Sequence, residues 1–199
     1  MKRKVYWKDL CHSFTSSKGR FLSILTLMML GTLALVGLKV TTPNMHRTAQ
    51  RFIDQQEMLD LAVMGDLGLD KTDQEELQGL TGASLEFSYL TDVTIDGKDE
   101  AVRLFSTPET ISRFQLAAGR LPQKEDEVAL AAFWKDRYQI GDQLRIHEKA
   151  GSPSVLKTKN YRIVGFVKSA EMWSEKDLGQ ARSGSGSLDA YGVLSKDAF

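Results

Sequence analysis

Residues Phe21 to Leu38 form an uncharged, apolar stretch of about 18 residues, and this run constrains the chain more than any other feature. At about 1.5 Å rise per residue, a helix of that length spans about 27 Å, close to the hydrocarbon thickness of a bilayer. Arg20 closes one end and Lys39 the other, where long basic side chains reach the headgroups as interface anchors. Ser23, Thr26 and Thr32 are polar, but hydroxyls in a helix can bond carbonyls one turn back. Gly31 and Gly37 add a small-residue face of the kind that favours helix contact. A buried helix of a soluble protein is the alternative, and the strict absence of charge favours a membrane span.

The flanks suggest an orientation. Lys2, Arg3, Lys4, Lys8, Lys18 and Arg20 stand against Asp9 alone in the first 20 residues, a net charge of +5 in a chain that is neutral as a whole. The positive-inside rule then places the N-terminus in the cytoplasm and residues 39–199 outside the cell (inner or plasma) membrane. A cleaved signal peptide begins in a similar way. The run here is longer than a usual signal core, and Leu38–Pro43 offers no small-x-small cleavage site. An uncleaved anchor is the expectation.

The remaining composition excludes several classes. The acidic excess after residue 20 is unsuited to a nucleic-acid surface. Cys11 is the only cysteine, so no disulfide staples the outer part. His12, His46 and His147 are scattered and show no metal-ligand spacing. Asp66, Gly68 and Asp70 hint at a calcium loop, but the other ligand positions do not follow. Gly184–Ser187 lacks the lysine of a phosphate-binding loop. No serine lies in a nucleophile-elbow motif, and Trp134 and Trp173 read as core or interface residues. Catalytic residues, cofactors and metals are therefore not expected, and an anchored hydrolase has nothing to recommend it.

Before the span, Tyr6, Leu10 and Phe14 recur at four-residue spacing with Lys8 and His12 off that stripe. This suits a short helix at the inner membrane interface, or a plain basic tail. Pro43 is expected to open a second helix from Asn44 to about Met58, with Met45, Ala49, Phe52, Ile53 and Gln56 as its apolar stripe. Leu59 to Met64 reads as a buried strand, and Thr72–Glu75 as a capping box opening a helix to about Leu80.

Further strands are expected over 84–95 and 100–105, joined at Asp96-Gly97, and over 128–130, 143–147, 160–168 and 190–194. Short helices are expected from Thr107 to before Gly119 and from Ala131 to Tyr138, with a flexible loop at 179–187. The fold class is thus α+β: one N-terminal transmembrane helix followed by a mixed, mostly antiparallel extracytoplasmic domain with short helices. The domains expected are a basic segment (1–20), the span (21–38) and the outer domain (39–199).

Several segments resemble a known family when taken in order. Tyr6-Trp7-Lys8-Asp9-Leu10, Ser17–Ile24, Leu30-Gly31 and Gly37-Leu38 are similar to the start of FtsX-like ABC transporter permeases. Ala118–Pro122 followed by Glu127–Leu130, then Tyr138–Asp142 and Tyr161–Val167, resemble the MacB-like extracytoplasmic core domain. The resemblance implies a permease subunit without catalytic residues, its outer domain moved by a cytoplasmic ABC ATPase. It implies export or extraction of peptide, antibiotic or lipoprotein substrates, or control of cell-wall hydrolases. The partners implied are that ATPase, the remaining permease helices or a second permease copy, and membrane lipid.

The chain departs from the family in having no later span, and it stops at Lys196–Phe199, where the family domain continues. The expectation is therefore the N-terminal portion of a permease. A single-pass, membrane-anchored binding or sensing module is the alternative.

Overall fold

The computed structural model describes residues 6–8, 12, 18–65, 68–149, 151 and 153–199. The chain divides into two compact units, Met1–Arg51 and Phe52–Phe199. The proposed interfacial helix before the span lies mostly outside the described residues, although Tyr6–Lys8 and His12 are helical.

One helix, α1 (Lys18–Gln56), runs for 39 residues. It contains the whole apolar run and continues past it, so Pro43 lies inside the helix rather than opening a second one. Proline removes one backbone donor and crowds the carbonyl four residues back. The turn before Pro43 holds Thr41, whose Oγ1 donates to the Gly37 carbonyl at 2.7 Å. Val40, Thr41, Thr42 and Asn44 beside it are weak helix formers, so it is the propagation of the longer helical turns on either side that overrides the break that the local signal predicts.

The second unit is built on seven strands: β1 (Leu90–Ile95), β2 (Ala101–Ser106), β3 (Gln115–Gly119), β4 (Glu127–Ala131), β5 (Gln143–Glu148), β6 (Asn160–Lys168) and β7 (Leu188–Leu194). Their order is β3-β6-β4-β7-β2-β1-β5, with a further β6–β5 pairing. Six strands therefore close into a ring, and β3 is added to β6 beside β5. Arg162 pairs with both Gln143 and Glu127, and Gly165 with both Gly119 and Ala129. So β5 and β3 share one edge of β6 while β4 takes the other. Hydrophobic β6 is thus paired along both edges. The β2–β7 and β4–β6 pairings are parallel, and the other five are antiparallel.

Alternation along the strands sorts the core into two faces. Val93, Val102, Leu104, Val128, Leu130, Leu144, Ile146, Tyr161 and Ile163 share one cluster, closed by Trp134 and Leu156. Ala129, Ala131, Val167, Tyr191 and Val193 form the other, against Phe105, Phe114 and Met172. Ile163 and Phe166 share the first face although three residues apart. The register slips between them, where Val128 pairs with Ile163 but Ala129 pairs with Gly165, and a slipped residue moves those that follow to the opposite face.

Local signals misplace the ends and identities of several elements. The stretch Leu59–Met64 forms no strand and is largely exposed. The helix α2 (Lys71–Gln78) starts earlier than predicted because Asp70, not Thr72, is its cap: Asp70 and Asp73 form the reciprocal box at 2.8 and 3.0 Å. No helix follows Thr107; β3 stands there instead. The amides of Glu109, Thr110 and Ile111 donate to the Glu86 carboxylate, and Ser112 at φ 53° turns the chain out of helical geometry. Ala131–Tyr138 reduces to a 3-10 turn at Ala132–Trp134, since Trp134 is drawn into the core.

Candidate functional site

Phe21 and Leu38, the ends of the apolar run, are exposed, and so are Arg20 and Lys39. The most apolar 18-residue window of α1 has a mean hydropathy of 2.3 and buries none of its residues. A core helix of a soluble domain would bury such a window. Ser23 Oγ donates to the Gly19 carbonyl at 2.8 Å, and Thr32 Oγ1 to that of Met28 at 2.8 Å. These hydroxyls carry their bonds within the helix, as an apolar surrounding requires. Among the described residues, one helix is thus long and apolar enough to cross a membrane.

The last residues of α1, Phe52–Gln56, belong to the second unit, and a clasp holds them there. Arg113 N donates to the Gln56 carbonyl at 2.9 Å, and Ser112 N to the Glu57 carbonyl at 2.8 Å. Leu59 N donates to Ser112 Oγ at 3.0 Å, and Arg113 Nη2 to the Gln55 carbonyl at 3.0 Å. Phe52 meets Trp173 edge-on at 6.1 Å. Both Glu57 and Ser112 have positive φ, 51° and 53°. Such geometry costs a non-glycine residue about 1–2 kcal/mol, offset here by the bonds each makes to the other's segment. Spacing along the chain contains no hint of this clasp, because its two halves lie more than fifty residues apart.

Three carboxylates organise the surrounding loops. Glu86 accepts from the amides of Glu109, Thr110 and Ile111 at 2.6, 2.9 and 2.8 Å and from Thr110 Oγ1 at 2.9 Å. Burial pushes this carboxyl up, but the amide bonds outweigh it and hold the pKa down at about 2. Lys196 Nζ stands 2.7 Å from Glu109 and 3.9 Å from Glu86. Glu127 accepts from Arg120 Nη1 at 2.7 Å and Gln123 N at 3.0 Å. Its pKa is also about 2, held there first by the Arg120 bonds, against burial, with the amides of Gln123 and Lys124 assisting. Arg120 and Glu127, quoted above for the family resemblance, thus pin the turn between β3 and β4 to itself.

Asp92, the third carboxylate, accepts from Arg103 Nε at 2.7 Å and Nη2 at 2.9 Å and from Arg182 N at 2.8 Å. Burial pushes it up, and the Arg103 bonds overcome that and hold it below the usual carboxylate range. Ser183 Oγ donates to the Asp92 carbonyl at 2.9 Å and Arg103 Nη2 to the Gln180 carbonyl at 2.9 Å. The loop 179–187, glycine- and serine-rich in sequence, is therefore tied to the sheet.

These carboxylates make acid sensitivity predictable. Glu86 and Glu127 have native pKa values of about 2 against ordinary values of 4.5. A carboxyl held below its unfolded value contributes stability that is full above that value and is lost as pH falls toward the native one. Unfolding midpoints in urea should therefore hold steady above pH ~4.5 and fall steeply toward pH ~2. Glu86→Gln should flatten part of that fall, and an unchanged slope in this variant would refute the assignment.

Among the described residues no group of three or more histidine, cysteine, aspartate or glutamate side chains could hold a metal. The calcium hint rests partly on Asp66, outside the described residues. His147 faces Asp96 at 2.7 Å on the exposed end of β5. Trp134 is buried beneath Arg137, whose guanidinium lies 4.9 Å from the ring centroid. Trp173 is exposed against Phe52. No protein family, curated protein or solved structure matches this chain.

Proposed function

We propose that this chain is an FtsX-like permease subunit of an ABC transporter, its outer sheet domain moved by a cytoplasmic ATPase to export or extract peptide, antibiotic or lipoprotein substrates. The observation that carries the reading is the unbroken course of α1 from the apolar run to Gln56, where the clasp holds its last residues. A helix stiff over that length can pass on movement, whereas a flexible linker would absorb it. The resemblance of the ordered motifs supplies the transporter class. Coupling would place residues 1–20 on the ATPase side, with the remaining permease helices or a second copy completing the path.

The test is affinity purification of the tagged chain, extracted from its native membranes, with co-purifying proteins identified by mass spectrometry. Recovery of an ABC ATPase with further permease helices is the expected result. Recovery of the folded chain alone would sink the transport role. That outcome would leave the second reading, a single-pass anchored binding or sensing module.

The topology has its own check. In right-side-out vesicles an impermeant maleimide should leave native Cys11 unlabelled until the membrane is opened. A Cys11→Ser/Ser84→Cys chain, with its thiol on an exposed segment, should label at once. The reverse pattern would invert the orientation.

A further inference from the structure

No described residue of 57–65 and 68–85 is fully buried. Leu61 is 80 % exposed, Met64 73 %, and Val63 and Leu80 are also exposed. The helix α2 buries none of its side chains. Large aliphatic side chains left in water along one segment are unusual for a finished surface and mark a contact site. An eight-residue helix is marginal by itself; the Asp70/Asp73 cap and the half-buried Gln74 and Leu77 support it here.

The same stretch is strongly acidic. Its described residues include six aspartates and glutamates against Lys71 alone. Glu57, Asp60, Glu75 and Glu76 form no ion pair among the described residues. That charge selects the occupant. Anionic lipid headgroups and nucleic acid would be repelled, and so would the same strip of a second copy. A partner that satisfies both features must bring cations and apolar side chains together.

We infer that residues 57–65 and 68–85 form a docking strip for a basic amphipathic segment of a partner protein, with lysine or arginine alternating with large aliphatic side chains at helical spacing. The aliphatic side chains would cover Leu61, Val63, Met64 and Leu80, while the basic ones meet the unpaired carboxylates. This surface is independent of whether the chain couples to an ATPase.

The test uses the full chain in phosphatidylcholine nanodiscs and a fluorescent lysine–leucine peptide of about 18 residues with helical periodicity. Binding to empty nanodiscs is subtracted. A glutamate–leucine peptide of the same pattern is the control. Saturable binding of the basic peptide is expected, weakening as salt rises from about 0.05 to about 0.3 M. Leu61→Ser/Met64→Ser and Glu75→Lys/Glu76→Lys should each weaken it at least about tenfold, and the substituted residues are exposed, so the fold should survive, as circular dichroism will check.

Equal binding of the glutamate–leucine peptide would overturn the inference. So would undiminished binding by both variants, or no binding above empty discs. Sedimentation showing self-association that Leu61→Ser/Met64→Ser abolishes would assign the strip to a second copy instead.

Discussion

Replacing Gly165 with alanine is expected to lower the melting midpoint of the sheet unit by about 10 °C. Gly165 sits on β6 opposite Gly119 of β3 and beside Ala129 of β4. A Cβ at Gly165 would lie 2.3 Å from the Arg120 carbonyl oxygen and 2.9 Å from that of Ala118. Both obstacles are backbone, so no side-chain rotation relieves them. The strand β3 must move off β6, or β6 must shift within a ring in which it is paired on both edges.

Overpacking of this kind costs about 3 kcal/mol, and for a unit of 148 residues each kcal/mol moves the midpoint by about 3 °C. The partner position is no freer. Gly119 has φ +74°, and a Cβ there would meet the Val164 carbonyl oxygen at 2.3 Å. Ala117→Ser, on the exposed register slip of β3, should stay within about 0.5 kcal/mol of the native chain. Thermal unfolding followed by circular dichroism decides the matter. A Gly165→Ala midpoint within two degrees or so of the native one would mean that the close approach of β3 and β6 is not needed for stability.

The second large effect is expected at Asp92. Its side chain is 3 % exposed and that of Arg103 22 %, so Asp92→Ala leaves a largely buried guanidinium without its counter-charge. Breaking one side of such a pair costs about 3 kcal/mol, because the remaining ion stays desolvated while its partner is gone. Arg103→Met should cost a comparable amount by stranding the carboxylate. Asp92→Asn/Arg103→Met together should cost less than the two single changes combined, since neither charge then remains buried.

A second readout separates the local role from general destabilisation. Asp92 also accepts from Arg182 N and, through its carbonyl, from Ser183 Oγ. Its loss should therefore free the 179–187 loop and speed tryptic cleavage after Arg182 at least about tenfold under native conditions. Native-like cleavage in Asp92→Ala would show that the loop is held by something else.

The clasp and the docking strip bear differently on the two functional readings. The clasp consists of the Gln56–Arg113 and Glu57–Ser112 backbone bonds. The proposed docking strip rests on the exposed Leu61, Val63, Met64 and Leu80. The two features occupy adjacent parts of the chain, with Glu57 at the end of the first and the start of the second.

The apolar run from Phe21 to Leu38, bounded by Arg20 and Lys39, was legible from sequence because length and absence of charge are local properties that need no neighbours. Strands rich in β-formers were legible for the same reason: Asn160–Lys168 falls where its β-branched and aromatic residues place it. The α+β class with mostly antiparallel pairing follows from these strands and the Asp96-Gly97 hairpin turn between β1 and β2.

Tertiary structure decided everything that depends on residues far apart in sequence. Thr107-Pro108-Glu109 reads locally as a helix start, yet Glu86, more than twenty residues earlier, claims the amides and leaves β3 to follow. Leu59–Met64 has the composition of a buried strand but meets no sheet edge. The ring closure through β5 and β6, the slip at Gly165 and the pairing of Asp92 with Arg103 come from register and long-range contact. Local propensity amounts to fractions of a kcal/mol per residue, whereas a buried ion pair or a backbone collision amounts to several. Where the two disagreed in this chain, the larger energy prevailed.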